Sequence, residues 1–408
     1  MNKKSFWLYV VIMTMAVIAV VLAIFILVVT DNKKPSNQHF KEEVSSQVTK
    51  VTESEEYQYV LKYERETLRI YRNIADEGRE VFYDYADINI DSLPDDIRER
   101  LTKGIYFEGE AQLYDFLQLE RIYIYMVKII SDSTSDLTKE LIDKLDISVI
   151  PLHILLGNDE YRDGIDITPD KIYEWADENK TTPKTSAVSI DDTIEMFKCV
   201  LEKDRDIVAF AISEDMSTTA NVFRLAAREL EAEDRIHVID SENLSTGIGH
   251  LVVEAAVMAG KGMSAADIEK NILELRPRVR ASFVVDTLTY LHRGGRCSGL
   301  AAMAGGVLKL HPRIEVNNGK MSPGKKYRGR MKNVVLDYVK DMEEDLKKAK
   351  KDRVFITHSG CDKEIVDEVK NYLKQLDVFD EIYETRAGGV ISSHCGPGTL
   401  GVLFIAGE

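Results

Sequence analysis

Cysteine is scarce in this chain and so is any excess of positive charge. The four cysteines, Cys199, Cys297, Cys361 and Cys395, are scattered through 408 residues with no C-x-x-C pair. Such spacing supports neither a zinc site nor a disulfide framework, and the four read as buried or free thiols suited to a reducing compartment. Against 69 Asp and Glu stand 53 Lys and Arg, a formal charge of −16. Phosphate binding needs a positive face, and no basic stretch supplies one, so nucleic acid is excluded as a partner. No G-x-G-x-x-G follows a strand, and the nearest run, Thr246-Gly-Ile-Gly-His-Leu251, lacks its third glycine. A Walker loop and a G-x-S-x-G elbow are absent, and the eight histidines have no metal-ligand spacing. Nothing in the sequence asks for a metal or a cofactor.

What is present begins with a stretch of another kind. From Ser5 to Thr30 the chain carries no charge, and at about 1.5 Å per residue such a helix spans a hydrocarbon core about 30 Å thick. Its exit, Leu27-Val-Val-Thr-Asp31, has no small-x-small pattern, so an uncleaved single-pass anchor over 1–30 is expected. Lys3 and Lys4 precede the span, and Lys33 and Lys34 follow it. The positive-inside bias therefore nearly cancels, and the side of the membrane on which the rest lies is left open. Residues 31–55 are polar and read as a linker.

A small α+β module is expected over 56–122. Apolar and polar residues alternate on both sides of Glu64-Arg-Glu66, as in a hairpin, and a further strand and two short amphipathic helices follow, one opening at Ser92-Leu-Pro-Asp-Asp96. This pattern resembles the C-terminal domain of the BofC (bypass of forespore C) group, whose members follow a membrane anchor.

After Met126 strand-like runs at 127–131, 147–156, 206–213 and 235–240 alternate with amphipathic helical runs. That rhythm predicts a parallel sheet covered on both faces, with ligands taken at the carboxyl ends of its strands. Hydroxyl clusters sit at those ends: Ser131 to Ser135, Thr185-Ser186 with Ser189, Ser213 to Thr219, and Ser241 to Thr246. Each one alone is an ordinary helix cap, but four on one sheet edge predict a polar pocket for an anion or carboxylate. Further on, Arg293 and Arg296 flank a Gly-Gly turn, a pairing suited to recognising a carboxylate or phosphate. A small-residue run, Gly299 to Gly306, follows. Near the end, His394 stands between Ser393 and a Gly-Pro-Gly turn, where backbone can approach a ligand closely. The pocket reads as built to hold rather than to transform.

In order, the runs KIISDSTSDL, YRDGIDIT, PKTSAVS, ISEDMSTTANVFRLAA, VIDSENLSTGIG, DTLTYLHRGGR and SSHCGPGTLGVLF resemble the DegV family of fatty-acid-binding proteins over residues 126–408. The resemblance implies an α/β fold of two domains: a parallel-sheet first domain (126–285) and a mixed α/β second domain (286–408). It implies no catalysis. Instead one long-chain fatty acid is bound, its tail in an apolar tunnel, and is presented to a separate fatty-acid kinase. Carried over by position, Thr185, Ser186, Ser217, Thr218 and His394 would hold the carboxylate, and Arg293 and Arg296 would line the entrance or meet the kinase. Two departures stand out: Ser217-Thr-Thr219 where the family usually has Ser-Gly-Thr, and His311 before Pro312 where a lysine is usual. Members of the family normally begin at the first strand, where Met126 sits, so the anchor and small module look joined in front. Two other functions fit the same residues. One is a substrate-binding subunit of a dihydroxyacetone-type kinase, with His394 bonded to a ketone; the other is a membrane-anchored, lipid-responsive sensor.

Overall fold

The computed structural model describes residues 57–65, 67–74, 79–86, 95–114, 116–117, 127–297 and 310–407. The expected span at 5–30, the linker, the helix start at Ser92, the junction at Met126 and the run Gly299 to Gly306 lie outside them. Among the described residues no helix is long and apolar enough to cross a membrane. Two compact units are present, broadly 57–117 and 127–407.

The first unit is a four-stranded antiparallel sheet with helix on it. Strands β1 (Tyr59–Glu64) and β2 (Thr67–Ile74) form the expected hairpin, closing with Glu64 opposite Thr67 and with Arg65 left-handed at φ 51°. With β3 (Arg79–Tyr85) and β4 (Ile105–Phe107) the sheet order is β3-β2-β1-β4. Leu61, Leu68 and Ile70 are buried together with Leu101 of helix Asp95–Lys103, and Phe107 meets Phe116 at 5.4 Å.

In the second unit, the first seven strands are β5 (Val127–Asp132), β6 (Ser148–Ile150), β7 (His153–Leu156), β8 (Asp159–Arg162), β9 (Lys184–Ser186), β10 (Asp206–Ala211) and β11 (Ile236–Asp240). Four of them make the predicted parallel sheet, in the order β11-β10-β5-β6. The expected run at 147–156 is instead two strands. Pro151 has no N–H to continue a ladder, and beyond it the chain enters a separate antiparallel sheet, β8-β7-β9.

The remaining strands, β12 (Val279–Val284), β13 (Leu310–Asn317), β14 (Lys320–Arg328), β15 (Arg353–His358), β16 (Glu381–Arg386) and β17 (Leu400–Ile405), form a mixed sheet ordered β14-β13-β12-β17-β15-β16. This sheet already takes in Val279, ahead of the expected start of the second domain at 286.

Strand alternation sorts the core into layers. Ile129, Val208 and Phe210 point one way, toward helix Thr246–Gly260 and the Ala281, Phe283 and Leu403 face of the mixed sheet. Ile130, Ile207 and Ala209 point the other way, onto Phe197 and Phe223 of the covering helices. One continuous apolar layer therefore joins the two sheets, with helix Thr246–Gly260 between them and buried nearly all round.

Candidate functional site

Strand β9 ends in Lys184-Thr-Ser186, and β10 runs out into Ile212-Ser-Glu-Asp-Met-Ser-Thr218 before helix Thr219–Glu229. Both ends open on a cavity of about 500 Å³, within the range of small-ligand pockets. Its polar wall includes Thr185, Ser186, Ser217, Thr218, Arg296 and His394, and its apolar wall includes Leu152, Ile212, Met216, Leu244, Met321 and Ile391. Polar residues from four separate motifs thus meet in one place.

His394 lies on the short helix Gly389–Cys395 and its Nε2 is 2.8 Å from Thr185 Oγ1. Its Nδ1 is buried with no hydrogen-bond partner among the described residues. A buried N–H without an acceptor is costly, so the ring proton belongs on Nε2, donating to Thr185 Oγ1. The Thr185 hydroxyl proton is then free to donate into the cavity. Burial, and then the Arg296 guanidinium, push the His394 imidazolium pKa down to about 4, so the ring is neutral at ordinary pH. Gly294 explains how the Arg293-Gly-Gly-Arg296 turn reaches this ring: a Cβ at 294 would stand 2.4 Å from His394 Nδ1.

Ser217 Oγ is 3.0 Å from Thr219 Oγ1 and within reach of the Thr219 N–H, at the start of helix Thr219–Glu229. Thr218, at the position where glycine is usual, is exposed and lines the cavity. Arg296 donates to the Gly294 carbonyl at 2.6 Å. The acidic side chains of the wall are paired: Glu214 with Arg224 at 2.6 Å and Asp215 with Lys320 at 3.6 Å. Among the described residues no group of three or more His, Cys, Asp or Glu side chains could hold a metal ion.

Arg293, expected at the entrance or against the kinase, is exposed on helix Thr289–Gly294 and, among the described residues, is not in the cavity wall. His311 is buried, with Nδ1 3.0 Å from the Val285 carbonyl, and is not in the cavity wall either. Of the four hydroxyl clusters only two reach the cavity. Ser189 caps helix Ile190–Leu201 by accepting from the Asp192 N–H. Ser131 to Ser135 and Ser241 to Thr246 are inside the protein: Ser133 donates to Asp163, Ser245 to Asp136, and Thr246 bonds Thr357 at 2.6 Å. The two glycines of Thr246-Gly-Ile-Gly249 serve packing, since a Cβ at Gly249 would meet Leu137 at 2.9 Å. Sequence reasoning missed the apolar wall, because Leu152, Met216 and Met321 carry no signal that separates a cavity lining from core. It also missed the buried carboxylates Asp132, Asp136 and Asp163, although all three lie within the ordered motifs.

Known proteins resemble this chain over the same residues. A DegV domain-containing protein of Caldanaerobacter subterraneus is 32% identical over 280 residues, covering 68% of this chain and 98% of that one. One from Clostridium perfringens is 32% identical over 279 residues, with the same coverage. Among solved structures, a fatty-acid-binding DegV family protein from Thermus thermophilus matches with a TM-score of 0.64 at 30% identity, covering 69% of this chain and 99% of that one. A stearic-acid-binding protein from Eubacterium ventriosum matches at 0.62 with 32% identity, covering 69% and 98%. The profile of the DegV family, described as one of uncharacterised proteins, matches residues 126–407, and the chain belongs to that family.

Proposed function

We propose that the chain binds one long-chain fatty acid, with the carboxylate at Thr185, Ser186, Ser217 and Thr218 and the acyl chain along Leu152, Ile212, Met216, Leu244, Met321 and Ile391. The observation that carries this reading is the Thr185–His394 pair at 2.8 Å on the wall of a cavity whose other side is apolar. A neutral His394 forms no salt bridge; it fixes the Thr185 hydroxyl so that its proton meets the head group. The acyl chain supplies most of the affinity, at about 0.8 kcal/mol per buried CH₂. Support also comes from the fatty-acid binding of the Thermus and Eubacterium proteins.

On this reading the chain is not an enzyme. Both nitrogens of His394 are occupied or covered, which speaks against a covalent bond to a ketone. The bound acid is presented to a partner fatty-acid kinase, with Arg296 at the cavity and the exposed Arg293 beside it as contacts. Residues 5–30 tether the binder to a membrane as a single span, with 56–122 as a BofC-like module between them. The uncharged stretch and the hairpin-plus-helix topology support that arrangement.

The test is native mass spectrometry of the purified full chain in detergent, offered stearic acid. One acid bound per chain is expected. A chain that stays empty refutes the proposal.

A further inference from the structure

Three carboxylates, Asp132, Asp136 and Asp163, are buried, and among the described residues no cationic side chain is bonded to any of them. A buried carboxylate is costly unless donors satisfy it, so where its hydrogen bonds go states what it holds. Asp132 accepts from Thr134 and from the Ile212 N–H at 2.7 Å, within its own sheet. The other two reach across the molecule. Asp136 accepts from the Gly388 N–H at 2.7 Å and from Ser245. Asp163 accepts from the Gly389 N–H at 2.7 Å and from Ser133 Oγ at 2.9 Å.

Gly388 and Gly389 open helix Gly389–Cys395, the helix that carries His394. Their N–H groups are the unpaired donors of its first turn, and a carboxylate is their natural partner. Glycine is required at 389 for contact to be this close, and at 388 a side chain would press on Asp136. A Cβ at Gly388 would lie 3.2 Å from Asp136 Oδ1; one at Gly389 would lie 2.5 Å from Ile154 and 2.9 Å from Asp163 Oδ1. The backbone at Asp136 is left-handed, φ 51°, and that of its partner Ser245 combines φ 53° with ψ −144°, a region that residues with a side chain rarely adopt.

We propose that Asp136 and Asp163 are positioning residues of the ligand site: by gripping the first turn of helix Gly389–Cys395 they hold His394 within hydrogen-bond distance of Thr185. This rests on the fatty-acid reading only for its effect on affinity. The positioning itself is a property of the empty protein.

The test uses the full chain with Asp163→Ala, Asp163→Asn, His394→Ala and the double variant Asp163→Ala/His394→Ala. Stearic acid affinity is read by displacement of a fluorescent fatty acid, and the His394 ring by ¹⁵N NMR without ligand. Asp163→Ala is expected to weaken binding about tenfold and to move the His394 nitrogen shifts away from those of the bonded Nε2–H form. Asp163→Asn keeps an acceptor for the Gly389 N–H and should restore both to near wild type. In the His394→Ala background Asp163→Ala should weaken binding no further, because its effect runs through the missing ring. An equal loss in both backgrounds overturns the proposal, as does an unchanged His394 spectrum in Asp163→Ala. If Asp163→Ala does not fold, Asp136→Ala takes its place, with Asp136→Asn as the rescue. If the wild-type chain binds no fatty acid, the functional reading fails, and the NMR arm still decides the positioning.

Discussion

Replacing Thr185 by valine tests the head-group chemistry with little disturbance of the fold. Thr185 is the middle residue of strand β9, pairs with Ile154 across the ladder and is half-buried, so a β-branched side chain of the same shape suits the backbone. The substitution removes a hydroxyl that would donate to a charged carboxylate, a bond worth about 1.5–3 kcal/mol. It also leaves the His394 Nε2–H, now 2.8 Å from that hydroxyl, without its acceptor. At about 1.4 kcal/mol per decade, the expected loss of affinity for stearic acid is roughly ten- to hundredfold. The tail contacts are untouched. Shortening the acid by two carbons should therefore cost about 1.6 kcal/mol in wild type and variant alike. The assay is titration calorimetry with acids of three chain lengths. A loss under about threefold, or one that grows with chain length, would show that the carboxylate is not at Thr185.

Two further outcomes follow from the interior. Tyr338 is fully buried, donates to the Ser282 carbonyl at 2.7 Å and accepts from the Val402 N–H at 3.1 Å. Tyr338→Phe strands both groups and should lower stability by about 2 kcal/mol in urea unfolding; a change below about 0.5 kcal/mol would mean they find other partners. Burial pushes the Asp136 carboxyl up to about 8 and the Asp132 carboxyl up to about 6. The native state then keeps protons on these two carboxyls that the unfolded chain has released, so their contribution to stability falls as pH rises from about 4 to about 8, while the neutral buried His250 and His394 act in the opposite sense below about 6.5. The urea midpoint should be lower at pH 8 than at pH 6, with Asp136→Asn flattening much of that slope; an unchanged slope in the variant would assign it to other groups.

The fold was legible where local chemistry and burial agree. Strands β5, β10 and β11 lie in a parallel sheet covered on both faces, so they read as continuous apolar runs, and helices with one apolar face separate them. The run at 147–156 misled because its composition is strand-like throughout, while Pro151 sends its two halves to different sheets. For the site, Thr185, Ser186, Ser217, Thr218, Arg296 and His394 were all named from the sequence and all line one cavity. Arg293, expected at the entrance or against a kinase, is exposed and outside that wall. Ser133 and Ser245 belong to clusters of the same kind, yet they bond buried carboxylates. A hydroxyl at a strand end looks alike in sequence whether it faces a void, a helix N–H or an acid.

By itself the sequence determined that the chain has an uncharged stretch long enough to span a bilayer, a hairpin module, and an α/β part whose strand ends are rich in hydroxyls, because these follow from charge and from periods of 2 and 3.6 along the backbone. Only the tertiary structure decided which hydroxyls meet the cavity. Gly294 stands against His394, and Asp136 and Asp163 reach Gly388 and Gly389 from more than two hundred residues away along the chain. Contacts between such distant segments depend on how layers pack in three dimensions, and no local pattern in the chain records that distance.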